Sequence, residues 1–333
     1  MPNEYFKTCY SVADPEELKS ELVNRYGFKA PLDCRIFKSG INDIYFVKAD
    51  GIIYYLRIAN NGSKGYSLID YKEEANIMLS LNENGINMAV PVCCNDGEYV
   101  WSINAPEGIR YAILFSEAKN NPSDDKIKIN FNLGQSLAKV HTVSDEKGYK
   151  VSRMPIDFTQ LTDRPLELLK PYLNLMNPDD YKFICDFMAE LKEYISGKLL
   201  MQKPYYGFCH GDAQMDNIFF QKETPTYFDF DCMGYGWRSY DISSHVLHME
   251  IQNPEYRKSE EYKAYLDGYN SIRQLSENEI DCIIAFNSIS SMWTIGLNIT
   301  MFEKRMGFSR IENFVNAMPR IFRTWHEKFY MNK

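Results

Sequence analysis

Short apolar runs of two periods divide the chain. Between residues 34 and 59 the stretches CRIFKSG, NDIYFVKA and IIYYLRIA are rich in Ile, Val, Tyr and Phe. Gly40 and the Asp50-Gly51 pair separate them. This pattern predicts strands joined by tight turns. An earlier stretch, DPEELKSELVNRYG, predicts a helix capped by Asp14, with Pro15 in its first turn, Glu17 as reciprocal cap and Gly27 at its end. A second helix is predicted over 70–84, where Tyr71, Ala75, Met78 and Leu79 recur on one face and Asn84-Gly85 suits the C-terminus. MAVPVCC and GIRYAILF predict two further strands around a turn at Asn95-Asp96-Gly97.

Past the polar run NNPSDD, a predicted hinge, the period becomes helical. INFNLGQSLAKVHTV, DDYKFICDFMAELKEYISGK, SYDISSHVLHMEI, SEEYKAYLDGYNSI and most of 277–331 predict helices. Asn177-Pro178-Asp179 marks one start and Ser239 another. IIAFNSISSMWTIGLNIT is the most apolar late stretch. Its Asn287, Ser288 and Asn298 argue for a buried helix and against a membrane span. The expected organisation is an N-terminal lobe over 1–117 and a larger C-terminal lobe over 118–333.

Composition changes this picture little. The 333 residues are 45% hydrophobic and 25% charged, ordinary for a folded globular chain. The net charge of -8 weighs against a general nucleic-acid binder and is compatible with a cationic ligand. Eight scattered cysteines form no C-x-x-C pair, which speaks for free thiols in a reducing cytoplasm and against a zinc ribbon. The start, MPNEYFKTCYSVADPEELKS, has no apolar leader core.

Chemistry concentrates in two segments of the helical half. HGDAQMDNIFF sets Asp212 five residues before Asn217, which opens a predicted strand. YFDFD then ends a second short strand at Asp229. A turn at Glu223-Thr224-Pro225 would fold these strands into a hairpin. The Asp-to-Asn step and the Asp-Phe pair match the spacing with which phosphoryl-transfer sites aim one carboxylate at a hydroxyl and two oxygen ligands at magnesium. Asp241, in WRSYDISSH, would cap its helix or anchor the Asp212 loop through backbone N–H groups.

H-G-D-x-x-x-x-N, then strand-D-F-D, then G-x-G-x-R-x-Y-D together resemble the aminoglycoside phosphotransferase and choline kinase family, with its homoserine-kinase-like and stress-response-kinase branches. The resemblance is strongest over 205–245. It implies an α+β, protein-kinase-like two-lobed fold: an N-terminal antiparallel sheet with one inserted helix, and a mainly helical C-terminal lobe. It also implies transfer of a phosphoryl group from ATP or GTP, with Mg²⁺, to a small-molecule alcohol. Asp212 would be the catalytic base, and Asn217 and Asp229 the metal ligands. KSGINDIYFV resembles the phosphate loop, with Ser39 and Gly40 covering the phosphates. Arg57 stands where kinases carry the strand lysine, a departure that keeps the charge. Glu74 or Glu73 would pair with it. Phe115, Glu117 and Ala118 would lie along the adenine-binding hinge.

Other residues admit sharper readings. His245 and His248 are three apart on one helix, without a third metal ligand at fixed spacing. Glu250, Trp293 and Asp231 are candidates for an acceptor pocket. The aromatic set in GYGWRSY could stack on a substrate or pack behind the metal loop. No A-P-E-like segment lies between 229 and 241, which disfavours a protein-kinase activation loop. The remaining alternatives are a nucleotide-binding pseudokinase without turnover and a carboxylate-metal hydrolase.

Overall fold

The structure, a computed structural model, describes residues 8–60 and 65–332. The first seven residues, part of the stretch read as lacking a leader, lie outside them. Helix α1 (Pro15–Tyr26) begins where the Asp14 side chain accepts the Glu16 N–H at 2.9 Å, and ends at left-handed Gly27. The expected reciprocal bond from Glu17 is not found among the described residues. Next come β1 (Asp33–Ser39), β2 (Asp43–Ala49) and β3 (Ile52–Ile58), then helix α2 (Leu68–Glu83). β4 (Trp101–Ala105) and β5 (Gly108–Ser116) complete an antiparallel sheet of order β1-β2-β3-β5-β4. At the β2–β3 turn both Asp50 and Gly51 have positive φ, as a two-residue hairpin requires.

One predicted strand is corrected. MAVPVCC forms single bridges only, Met88 with Tyr227 and Pro91 with Phe115, so it connects the lobes and is no ladder strand. Proline lacks the N–H that a ladder needs. Beside β3, the second partner of β5 is instead β4, in a run that carried no expectation.

The polar run NNPSDD is partly ordered by pairing and capping. Asn121–Pro122 forms a short strand β6, pairing in parallel with β8 (Ile218–Lys222), and Asp125 caps helix α3 (Lys126–Lys147) by accepting the Lys128 N–H at 2.9 Å. The connector is therefore tied to the large lobe. Helices α4 (Arg164–Leu169), α5 (Pro178–Lys198), α6 (Arg238–Gln252), α7 (Glu260–Asn270), α8 (Glu277–Met301) and α9 (Phe308–Asn332) build the rest. α3 and α7 meet backbone to backbone. A Cβ on Gly134 would sit 1.9 Å from the Tyr265 carbonyl, and one on Gly268 1.9 Å from that of Phe131.

Among the described residues one helical stretch, Glu277–Met306, is long and apolar enough to cross a membrane. Its most apolar window is 67% buried inside the fold, as a core helix would be. All eight cysteines are free. One apolar core runs across both lobes, joining Ile77, Met78 and Leu81 of α2 to Leu133 and Leu137 of α3. Each such buried side chain contributes at most about 1.5–3 kcal/mol.

Two small sheets flank the candidate site residues. β7 (Tyr206–Cys209) pairs with β10 (Gly234–Trp237), and β8 pairs with β9 (Thr224–Tyr227) in the expected hairpin. Asn217 leads into one arm of that hairpin and Asp229 leaves the other.

Candidate active site

Strand β7 is buried and delivers the chain to His210-Gly211-Asp212. Gly211 has φ 83°, and a Cβ there would lie 2.0 Å from the Cys232 carbonyl, so only glycine fits. Asp241, in the first turn of α6, accepts the backbone N–H of His210 at 2.8 Å and of Gly211 at 2.7 Å. The anchoring of this loop through Asp241 is thus present. His141 was missed, because it lies 100 residues upstream on α3. Its Nε2 stands 3.0 Å from Asp241, and its Nδ1 is 2.8 Å from the Tyr269 hydroxyl.

Burial opposes charge on Asp241, but the hydrogen bonds from His141 and Gly211 hold its carboxyl below the usual range. Burial also pushes the His141 imidazole down to about 4, against the pull of Asp241. The pair is therefore carboxylate and neutral imidazole, with the proton on Nε2 donating to Asp241 and Nδ1 accepting from Tyr269. Cys209 joins these two residues, all within 4.8 Å, in a grouping that resembles a metal site. Burial raises its thiol well above the ordinary value, so it offers no thiolate. Both Asp241 oxygens are already engaged.

Asp212, Asn217 and Asp229 line one cavity of about 530 Å³, together with Ser39, Gly40, Asp231 and Trp293. The Asn217 amide donates to the Asp212 carboxylate at 2.7 Å and to its carbonyl at 3.0 Å. That orients the carboxylate. Among the described residues no donor reaches the Asn217 amide oxygen. Asp229 sits in the left-handed region, φ 59° and ψ 61°, a strained geometry for a non-glycine residue that concentrates at functional sites.

Arg57 is buried below the cleft and is not an exposed strand residue. Its Nη1 is 2.7 Å from Glu74 and 3.1 Å from Asp229. Burial alone would lower the Arg57 pKa, yet Glu74, Asp231 and Asp229 raise it well above normal. Burial likewise opposes the Glu74 charge, and Arg57 and Arg153 overcome it. Glu73, the competing partner, turns outward to Ser152 at 2.7 Å. Arg153 gave no signal in the sequence. It bonds Glu74 at 2.7 Å, the Phe230 carbonyl at 2.8 Å and the Asp70 carbonyl at 3.2 Å. The buried Nη2 of Arg57 has no hydrogen-bond partner among the described residues.

Ser39 and Gly40 form the β1–β2 tip, and their polar groups are already engaged. The Gly40 N–H donates to Asn42, and the Ser39 hydroxyl to Asp43 at 2.6 Å. Arg305, from the turn after α8, bonds the Gly40 carbonyl and the Ser39 hydroxyl, reaches Asp43 at 3.4 Å and stacks 3.6 Å over Tyr10. A Cβ on Gly40 would meet nothing closer than 4.0 Å, so its own backbone does not demand glycine.

The other candidates divide between the cavity wall and the core. Phe115 lies one residue before the end of β5, its ring 5.2 Å from the Arg57 guanidinium; Glu117 and Ala118 follow the strand. Glu250 is buried against Asn287 at 2.9 Å, and burial raises its carboxyl; it is no cavity wall. His248 lines the cavity beside Gln214, whereas His245 is buried against Tyr256 and Asn130, so the two share no metal position. Trp237 of the aromatic set packs on Phe158 in the core.

The phosphotransferase enzyme family matches residues 33–275, well over half of the chain. The chain belongs to this family. An uncharacterised protein of Synechocystis sp. is 29% identical over 90% of this chain and 82% of its own length. Several solved structures share the fold. An amicoumacin kinase in complex with AMP-PNP, Ca²⁺ and Ami superposes with a TM-score of 0.74, at 20% identity over 93% of this chain and 94% of that one. A microcompartment-associated aminopropanol kinase gives 0.74, at 16% identity over 94% and 98%. The α+β fold, with its antiparallel N-terminal sheet and mainly helical C-terminal part, is that of these kinases.

Proposed function

We propose that this enzyme moves the γ-phosphoryl group of ATP to the hydroxyl of a small, cationic alcohol of the amino-alcohol kind. Residues 1–117 would form the nucleotide-binding lobe and 118–333 the acceptor-binding lobe. The observation that carries the reading is the common cavity of Asp212, Asn217 and Asp229 above the buried Arg57–Glu74 pair. Asp212 accepts the hydroxyl proton as the alcohol oxygen bonds to phosphorus and the bond to the ADP oxygen breaks. The Asn217 amide keeps that carboxylate oriented. Arg57, held between Glu74 and Asp229, would fix the nucleotide end of the site from beneath. The Asn217 amide oxygen and the Asp229 carboxylate are hard donors that suit Mg²⁺, which when bound would offset negative charge on the phosphates. Phe115, Glu117 and Ala118 would pass along the adenine, with Ser39 and Gly40 over the phosphates.

A cationic acceptor is favoured by the walls. Asp212, Asp216, Asp229 and Asp231 face the cavity against one lysine, Lys38. The names of the two solved kinases, for amicoumacin and aminopropanol, point the same way. The test is ADP release from Mg²⁺-ATP, and from Mg²⁺-GTP, with a panel of amino alcohols, sugars and aminoglycosides. Asp212→Ala is expected to abolish release with nucleotide affinity nearly unchanged. Nucleotide binding without turnover of any panel member would favour a pseudokinase. Equal loss of nucleotide binding in Asp212→Ala would remove Asp212 as base.

A further inference from the structure

A second chamber of about 80 Å³ abuts the large cavity, and Cys232, Tyr240, Trp293 and Leu297 line both. Its apolar walls are Ile156, Leu161 and Leu168 with Pro165, and polar groups share the rest of its lining. α8 comes close there because Gly296 carries no side chain; a Cβ would lie 3.0 Å from Pro165. At the rim stand Gln160 and exposed Arg164, 3.5 Å apart. Gly211 contributes to the chamber wall, whereas the β1–β2 tip lines only the large cavity. The chamber therefore opens from the Asp212 side of the site, away from the proposed phosphate end. A water-sized group needs roughly 10–15 Å³ of such volume, so the chamber holds about five to eight. Apolar space left empty is a standing cost to the fold and attracts apolar ligands.

Resting on the phosphotransferase reading of the large cavity, we propose that this chamber receives the distal arm of the acceptor. The molecule phosphorylated beside Asp212 carries a short apolar arm of about five heavy atoms, which inserts past Trp293 between α4 and α8. The arm's size excludes a second sugar ring. It selects among amino alcohols by length.

The test is a series R–CH(OH)–CH₂–NH₂ with unbranched R from one to eight carbons. Affinity is measured calorimetrically with Mg²⁺ and AMP-PNP, and ADP release separately with Mg²⁺-ATP. Affinity is expected to rise about three- to four-fold per methylene up to about five carbons, and then to stop rising. Thr300→Trp and Leu168→Trp, each on a half-buried chamber wall, are expected to flatten the series and leave AMP-PNP and the methyl member unaffected. A flat wild-type series, no binding by any member, or unchanged length dependence in both variants overturns the chamber. Length-dependent binding with no ADP from any member sinks the phosphotransferase reading and leaves the chamber standing; ADP release with a flat series does the reverse.

Discussion

Mild acid should weaken the fold through two buried histidines. Of the five histidines, burial brings His141 to about 4, and burial with the neighbouring His248 brings His245 to about 3. Both stay neutral in the folded protein near pH 5, while an exposed imidazole with a pKa near 6.5 is mostly protonated. The unfolded chain then binds more protons, so stability rises with pH and falls on acidification below about 6.5. Between pH 8 and pH 5 each histidine costs about 2 kcal/mol, or about 4 kcal/mol together. Asp241 and Glu74, whose carboxyls are depressed, contribute stability that persists until the pH falls below the ordinary carboxylate value, so they add little in this window. Urea titrations at four pH values from 5 to 8 measure the slope, and His245→Gln should remove about half of it. A pH-independent unfolding free energy over this range would refute neutral burial of both rings. A slope unchanged in His245→Gln would refute the share given to that residue.

Gly211→Ala should destabilise by several kcal/mol, since the added methyl meets the Cys232 carbonyl at 2.0 Å in left-handed backbone; a variant melting like wild type would show that the loop gives way. Gly40→Ala should keep its stability within about 0.5 kcal/mol, and any loss should appear in the nucleotide KM; a large drop in melting temperature contradicts this. Asp229→Ala should weaken Mg²⁺-nucleotide binding, measured by calorimetry, while Glu73→Ala leaves it unchanged; undiminished binding by Asp229→Ala would remove Asp229 as a metal ligand.

The candidate catalytic segment was legible because its geometry is local. A five-residue step and a two-strand hairpin bring Asp212, Asn217 and Asp229 to one wall, and Asp241 reaches back to the same loop. The unread residues act at a distance. Arg153 meets Glu74 across 79 positions, His141 meets Asp241 across 100, and Arg305 meets Gly40 across 265. No periodicity reports such pairings. MAVPVCC failed for a different reason: an extended apolar run looks alike whether it joins a ladder or spans between lobes. Glu74 prevailed over Glu73 because the inward face of α2 carries Asp70-Tyr71, Glu74-Ala75 and Ile77-Met78, and Glu73 lies just outside it.

The two arginines on Glu74 have a consequence for control. Many protein kinases switch by swinging the helix that bears this glutamate away from its strand partner. Here the same helix is pinned from the opposite side: Arg153, rooted in the large lobe, grips its first turn and its buried acid at once. To rotate it outward would strand charged groups in a dry interior. The enzyme is thus built without that particular off-position, and its rate would follow the supply of its two substrates.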